Sequence, residues 1–364
     1  MPLVANTQLP SFSRYRAEGG EVLTPRRAQE QSIRELHIGL FNMMPDAALE
    51  PTERQFLRLV GGCNRIAQFY VYPFTARKIP RGDKARRHID QYYFQTEDIE
   101  ALGLDALILS GANPVHPRLV DEAFWEPLCS LLDWARINVT STLCACLATH
   151  AALLHFHGIE RQPLSAKRWG VYSHETKSGH PLVQGANTRF DVPHSRWNEI
   201  YPEQMNSANL NILMESDEAG VHLATSEDGF RFVYFQGHPE YDHNSLLKEY
   251  KREVVRYLSG EIKDYPPYPN SYFLEDAKKV LQEFQDKAMK SSNKASLVDQ
   301  FPEREIQAHN TWGDTGKVVV NNWLGTIYQI THQDRGKPFM DGIDPANPLA
   351  YLTGEEIDTP RCGR

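Results

Sequence analysis

Two stretches of this 364-residue chain carry the side chains of a nucleophilic couple. In the first, Val139 to Leu153 (VTSTLCACLATHAAL), β-branched residues give way to Cys144, Ala145 and Cys146, and then to an alanine- and leucine-rich helical pattern. A strand turning directly into a helix holds a cysteine where unpaired N–H groups and the positive end of the helix dipole favour thiolate. α/β enzymes use this context to expose a nucleophile above a sheet. Cys146 is the candidate nucleophile; the competing reading makes both cysteines small buried hydrophobes. In the second stretch, Phe230 to Asp242 (FRFVYFQGHPEYD), an apolar strand runs into a turn with His238 and Glu240 one proline apart. His-Pro-Glu alone reads as a polar loop. At the end of a neighbouring strand it supplies a base and the carboxylate that orients it, completing a Cys, His, Glu arrangement.

The elements that must position these residues follow from periodicity. HIGLFNMM from His37 is a strand, EPTERQFLRLVGG a helix with Phe56, Leu57 and Val60 at helical spacing, and Arg65 to Phe74 the next strand. That β, α, β order predicts a parallel sheet. Leu104 to Pro114 is a buried strand ending in a glycine loop, and a helix around Phe124 to Ala135 leads into the strand before Cys146. The chain is therefore expected to be α/β, with an open, mostly parallel sheet flanked by helices. Ligands of such sheets bind beyond the carboxyl ends of the strands, where Gly111, Cys146 and His238 all fall. Backbone N–H donors for an oxyanion would come from Leu147 and the loop Gly111 to Ala112. Residues 158–202 show no firm pattern. The helix HNSLLKEYKREVVRYLSG presents Leu246, Leu247, Tyr250, Val254 and Tyr257 on one face, and an amphipathic helix and an apolar segment from Asn310 to Thr331 follow.

Composition sets outer bounds. A net charge of −8 argues against a general nucleic-acid binder, and five cysteines without framework spacing suggest a reducing compartment. No apolar run approaches the ~20 residues of a membrane span, and the amino terminus lacks a secretory pattern, so a cytoplasmic enzyme is expected. Residues 1–34 read as a polar arm or dimer contact, 35–331 as the catalytic domain, and 332–364 as a loop-like tail. The basic cluster from Ala76 to His88 reads as a solvated loop, or else as a partner for the phosphates of a ligand. Cys144, Cys146, His150, His155 and His157 cluster in sequence but do not match common zinc spacings, so no metal is expected.

The segments IGLFNMMPDAALEPTERQFLRLVG, ILSGANP, WARINVTSTLCACLATHAALLHFHGI, GVYSHE, VPHSRW, QGHPEYD with KEYKREV, and NTWGDTGKVVVNNWLGTIYQIT resemble the homoserine O-acyltransferases of methionine biosynthesis. These are of the succinyltransferase type, built on the class I glutamine amidotransferase-like, flavodoxin-like fold. The resemblance implies acylation of the homoserine γ-hydroxyl by an acyl-CoA co-substrate, a ping-pong route through a cysteine thioester, no bound cofactor, and a homodimer. It also implies that Lys167 and Ser195 contact the amino-acid substrate and that Arg252 grips its carboxylate.

The chain departs from the family at three places. Leu147 replaces a bulky aromatic, and His150 replaces an uncharged amide, to tune the thiolate or merely to pack. Val115 stands near the position where relatives carry glycine for succinyl or glutamate for acetyl. With no carboxylate there, and with His116 and Arg118 nearby, succinyl is favoured over acetyl. Competing functions are a glutamine amidotransferase or hydrolase using the same three residues, an O-acyltransferase for another hydroxy amino acid, and a scaffold with a vestigial site.

Overall fold

The apolar runs bury both of their faces and become the centre of one sheet, as parallel strands covered by helices must. The computed structural model describes residues 3–31, 33–63, 67–177 and 179–353. In chain order the strands are β1 (Leu3–Val4), β2 (Val22–Leu23), β3 (Glu35–Phe41), β4 (Gln68–Phe74), β5 (Ala106–Leu109) and β6 (Ser141–Ala145). They continue as β7 (Gln162–Thr176), β8 (Arg189–Glu199), β9 (Asn211–Ser216), β10 (Gly220–Thr225) and β11 (Phe232–Phe235). They lie in the order β2-β1-β4-β3-β5-β6-β11-β10-β9-β7-β8. Pairing is parallel from β2 to β11 and antiparallel beyond it. The central run β4-β3-β5-β6-β11 takes its strands in the order second, first, third, fourth, fifth, which is the flavodoxin-like winding. β6 sits between β5 and β11, with Cys144 opposite Leu109 on one side and Tyr234 on the other.

Apolar side chains cover both faces of the sheet. Helix Gly313–Ile330 closes one face with fully buried Trp323, whose indole N–H donates to Ser141 Oγ at 2.7 Å and so fixes the start of β6. Burying a side chain of that size stabilises the fold by roughly 2–3 kcal/mol. Gly316 of the same helix packs under the turn that carries His238 and Glu240; a Cβ there would come within 3.0 Å of the Pro239 Cβ. Helix Ser245–Leu258 buries the face expected from its sequence, Leu246, Leu247, Tyr250, Val254 and Tyr257, against Trp169, Phe273 and Phe301.

Several expectations are corrected. Residues 158–202 are not loose: they form β7 and β8, the longest strand pair in the sheet. Residues 3–31 do not stand off as an arm, because Leu3 and Val4 enter the sheet and Leu9 and Phe12 are buried in its core. The basic stretch is partly helix, Asp83–Tyr92. Its Arg81 is buried rather than solvated and binds the carbonyls of Met44 and Asn42. The tail is loop-like up to a short helix, Ala350–Thr353, and it is docked: Phe339 and Leu349 are buried, and Arg335 pairs with Asp105 and Glu35. The start of the strand expected at Arg65 lies outside the described residues, as do residues 354–364.

Candidate active site

Ser141 to Ala145 is strand, Leu147 to His157 is helix, and Cys146 alone makes the turn with φ 51° and ψ −106°. A side-chain-bearing residue is strained there, and such strain persists only where its surroundings hold it. The Cys146 N–H donates to the Phe235 carbonyl at 2.7 Å, and the Thr149 hydroxyl lies 2.9 Å from the carbonyls of both Cys144 and Phe235. The turn is thus tied to β11 as well as to its own strand. Cys144 is the buried hydrophobe of the pair, its thiol pushed far up by burial.

β11 delivers the partner. His238 Nδ1 lies 2.8 Å from Glu240 Oε1, and the His238 N–H donates to the Pro193 carbonyl of β8 at 2.9 Å. The other ring nitrogen, Nε2, is buried and makes no hydrogen bond of ordinary geometry. Burial works against the imidazolium, but Glu240 and the adjacent Cys146 outweigh it and raise His238 to about 10. Tyr241 stacks on the imidazole, ring centroids 4.2 Å apart, and its hydroxyl donates to Glu249 Oε1 at 2.7 Å.

Glu249 is a hub that the sequence did not single out. Its Oε2 accepts from Ser195 Oγ at 2.6 Å and from Lys167 Nζ at 3.2 Å. Burial opposes its charge, yet Lys167, Ser195 and Tyr241 hold the carboxyl below the usual carboxylate range. The one available signal was its place on the helix of Arg252, three residues earlier and so on the same face.

A cavity of about 310 Å³ opens over Cys146 and is lined also by Ala112, Leu147, Lys167, Ser195 and Arg252. Gly111 lies close to the nucleophile candidate: a Cβ on it would be 3.8 Å from the Cys146 Cβ. Five sequence candidates therefore share a wall with the thiol, while His238 and Glu240 form the hydrogen-bonded pair beside it. Val115 is not brought to the site: it is 81% exposed, and its N–H is tied to Glu122 Oε1 at 2.7 Å. His150 lines the cavity, bonded to Gln236. His155 turns away to Asp133. Among the described residues no three or more His, Cys, Asp or Glu side chains are grouped to hold a metal ion, and no helix is long and apolar enough to cross a membrane. Arg161, Arg196, Trp197 and Asn198 also line the cavity. They come from the β7–β8 region, whose pattern was unreadable.

A flavodoxin-like sheet with a cysteine on a strained turn above its centre, and a histidine–carboxylate pair on the turn after the next strand, has the parts of a cysteine-nucleophile α/β enzyme. A profile of the homoserine O-succinyltransferases matches residues 2–333. Relatives named homoserine O-succinyltransferase share 58% identity over 96% of this chain and 99% of theirs in Methylobacter tundripaludum, and 59% over the same shares in Methylococcus capsulatus. The chain belongs to the homoserine O-succinyltransferase family. A glutamine amidotransferase structure from Thermotoga maritima is a distant likeness, with 10% identity over 82% of this chain and 99% of that one and a TM-score of 0.42.

Proposed function

We propose that this enzyme transfers a succinyl group from succinyl-CoA to the γ-hydroxyl of homoserine, through a thioester on Cys146, as a step of methionine biosynthesis. The observation that carries the mechanism is the His238–Glu240 pair beside a cysteine held on a strained turn. His238 takes the thiol proton, Glu240 stabilises the imidazolium, and the thiolate attacks the thioester carbonyl. A C–S bond to Cys146 forms, the C–S bond to CoA breaks, and the CoA sulfur leaves with the proton from His238. In the second half His238 takes the homoserine hydroxyl proton, the oxygen attacks the acyl carbonyl, a C–O bond forms as the C–S bond to Cys146 breaks, and the proton returns to the Cys146 sulfur. Exchange of one thioester for another costs little free energy, which suits a sulfur nucleophile.

The N–H groups of Leu147, Gly111 and Ala112 are the oxyanion donors in this reading. Arg252 takes the homoserine carboxylate in fork geometry, with Lys167 and Ser195 beside it. Family resemblance adds a second copy of the chain as partner, and the five cysteines without framework spacing support the cytoplasm as location.

The experiment is intact-protein mass after brief exposure to succinyl-CoA, then a homoserine chase, alongside Cys146→Ala. The expected result is an adduct of one succinyl group that homoserine discharges and the variant never forms. No adduct on the wild type would overturn the thioester route.

A further inference from the structure

Four cations line the cavity over Cys146, and three of them already have carboxylate partners. Lys167 is 3.2 Å from Glu249, Arg196 3.1 Å from Glu199, and Arg252 3.6 Å from Glu253. The fourth, Arg161, is half-buried and has no carboxylate oxygen within 4.0 Å among the described residues. Its one hydrogen bond is a long one, 3.4 Å from Nη2 to the Pro117 carbonyl, which sets it against the loop that follows β5. A guanidinium taken partly out of water without a directly bonded carboxylate is costly: burial works against its charge, and Glu122, Cys146 and Glu160 offset this only through space. Such a group, in the wall of a cavity that also holds the reactive thiol, is matched by an anion on the ligand.

The charges around the cavity decide which anion. On the side of helix Ser245–Leu258, Arg252 and Glu253 are adjacent, a cation beside an anion, which suits the zwitterionic end of an amino acid. On the side of the loop that follows β5, Ala112, Asn113, Pro114 and Leu147 offer no charge and Arg161 supplies the cation, while Glu122, whose charge Arg161 feels, is taken up by the N–H groups of Val115 and His116. That side suits a short hydrocarbon chain ending in a carboxylate.

We propose that Arg161 is the specificity residue for the acyl group, its guanidinium binding the distal carboxylate of a dicarboxylic acyl chain carried on Cys146. This rests on the acyl-transfer reading above and adds to it the subsite that tells a charged acyl group from a neutral one of equal length.

The test compares succinyl-CoA with butyryl-CoA, whose four-carbon chain ends in a methyl group, on wild type, Arg161→Gln and Arg161→Lys. Wild type is expected to load succinyl well and butyryl poorly. Arg161→Gln should lose about ten-fold or more in kcat/KM for succinyl-CoA, the size of a charge-assisted hydrogen bond, with butyryl-CoA and the KM for homoserine unchanged. Arg161→Lys keeps the charge without the fork and should fall between. Equal losses with both donors would overturn the proposal, as would a raised homoserine KM with unchanged succinyl-CoA kinetics. Failure of wild type to load succinyl at all would overturn the acyl-transfer reading itself, so the two failures are distinct. Should Arg161→Gln not fold, the ratio of donors for Arg161→Lys decides.

Discussion

His150 Nε2 lies 2.9 Å from Gln236 Oε1, and that oxygen can only accept. The Gln236 nitrogen donates to the carbonyls of Ile200 at 3.1 Å and Val221 at 2.9 Å, while the oxygen also receives the Ile200 N–H at 2.9 Å. His150 therefore carries its proton on Nε2, and its buried Nδ1 is a bare acceptor. Burial lowers its pKa to about 3, so the ring is neutral at any working pH and exerts no net charge on the nearby thiol.

From this, His150→Gln, which can donate the same hydrogen bond, should leave the pH profile of Cys146 alkylation unshifted and kcat within a few-fold of wild type. His150→Ala removes a donor from a buried amide oxygen and opens a cavity. Its urea midpoint should fall by an amount equivalent to about 1–3 kcal/mol. A shift of the alkylation profile in His150→Gln would refute the neutral assignment.

Glu249 serves Ser195, Lys167 and Tyr241 with one carboxylate. Glu249→Gln gives up the charge and turns an amide N–H₂ towards groups that donate. The KM for homoserine should rise about ten-fold or more, since charge-assisted bonds are lost, while succinyl loading of Cys146 persists. Mass spectra before and after a homoserine chase separate these two halves; loss of loading would show instead that Glu249 supports the His238 side through Tyr241.

Beneath the site lies a group of buried imidazoles. His174 Nδ1 meets the Tyr172 carbonyl at 2.9 Å, His194 Nε2 meets His174 Nε2 at 3.1 Å, and Arg196 reaches His194 Nδ1. His222 packs edge-on to both imidazoles. Burial lowers His150 to about 3, His174 to about 4, and His194 and His222 well below the ordinary value of 6.5. As pH falls below 6.5 these rings stay neutral in the folded chain, whereas in the unfolded chain they bind protons. Each therefore contributes stability that is present above pH 6.5 and lost as pH falls, by up to about 1.4 kcal/mol per pH unit. Urea midpoints measured from pH 7 down to 4 should drop steeply, and replacing His222 with Phe should flatten the curve. A midpoint independent of pH in that range would contradict the neutral cluster.

What the sequence made legible was what changes the local pattern. Cys146 stood out because a β-branched run becomes a helical one at that residue, and the helix from Ser245 because five apolar residues share one face. The β7–β8 pair was hidden because β7 begins with seven residues that are exposed or half-buried, with no alternation to mark a strand. Glu249 looked like one more charge on a charged helix, since its importance comes from three groups that only the fold brings to it. Arg161 was hidden for the opposite reason, because what marks it out is a partner it lacks. The first thirty residues look polar because Leu3, Val4, Leu9 and Phe12 are too far apart to form a period, although each is buried.

The pairing of β6 with β11 also fixes an order of events during synthesis. The turn that strains Cys146 is bonded to Phe235, and His238 follows three residues later. Some ninety residues must leave the ribosome after the cysteine before either can be in place, and contacts so distant in sequence form late in folding. The same strand addition that bends the backbone at the thiol brings the imidazole beside it, so a nascent chain that has not yet reached Phe235 has neither the strained turn at Cys146 nor its histidine neighbour.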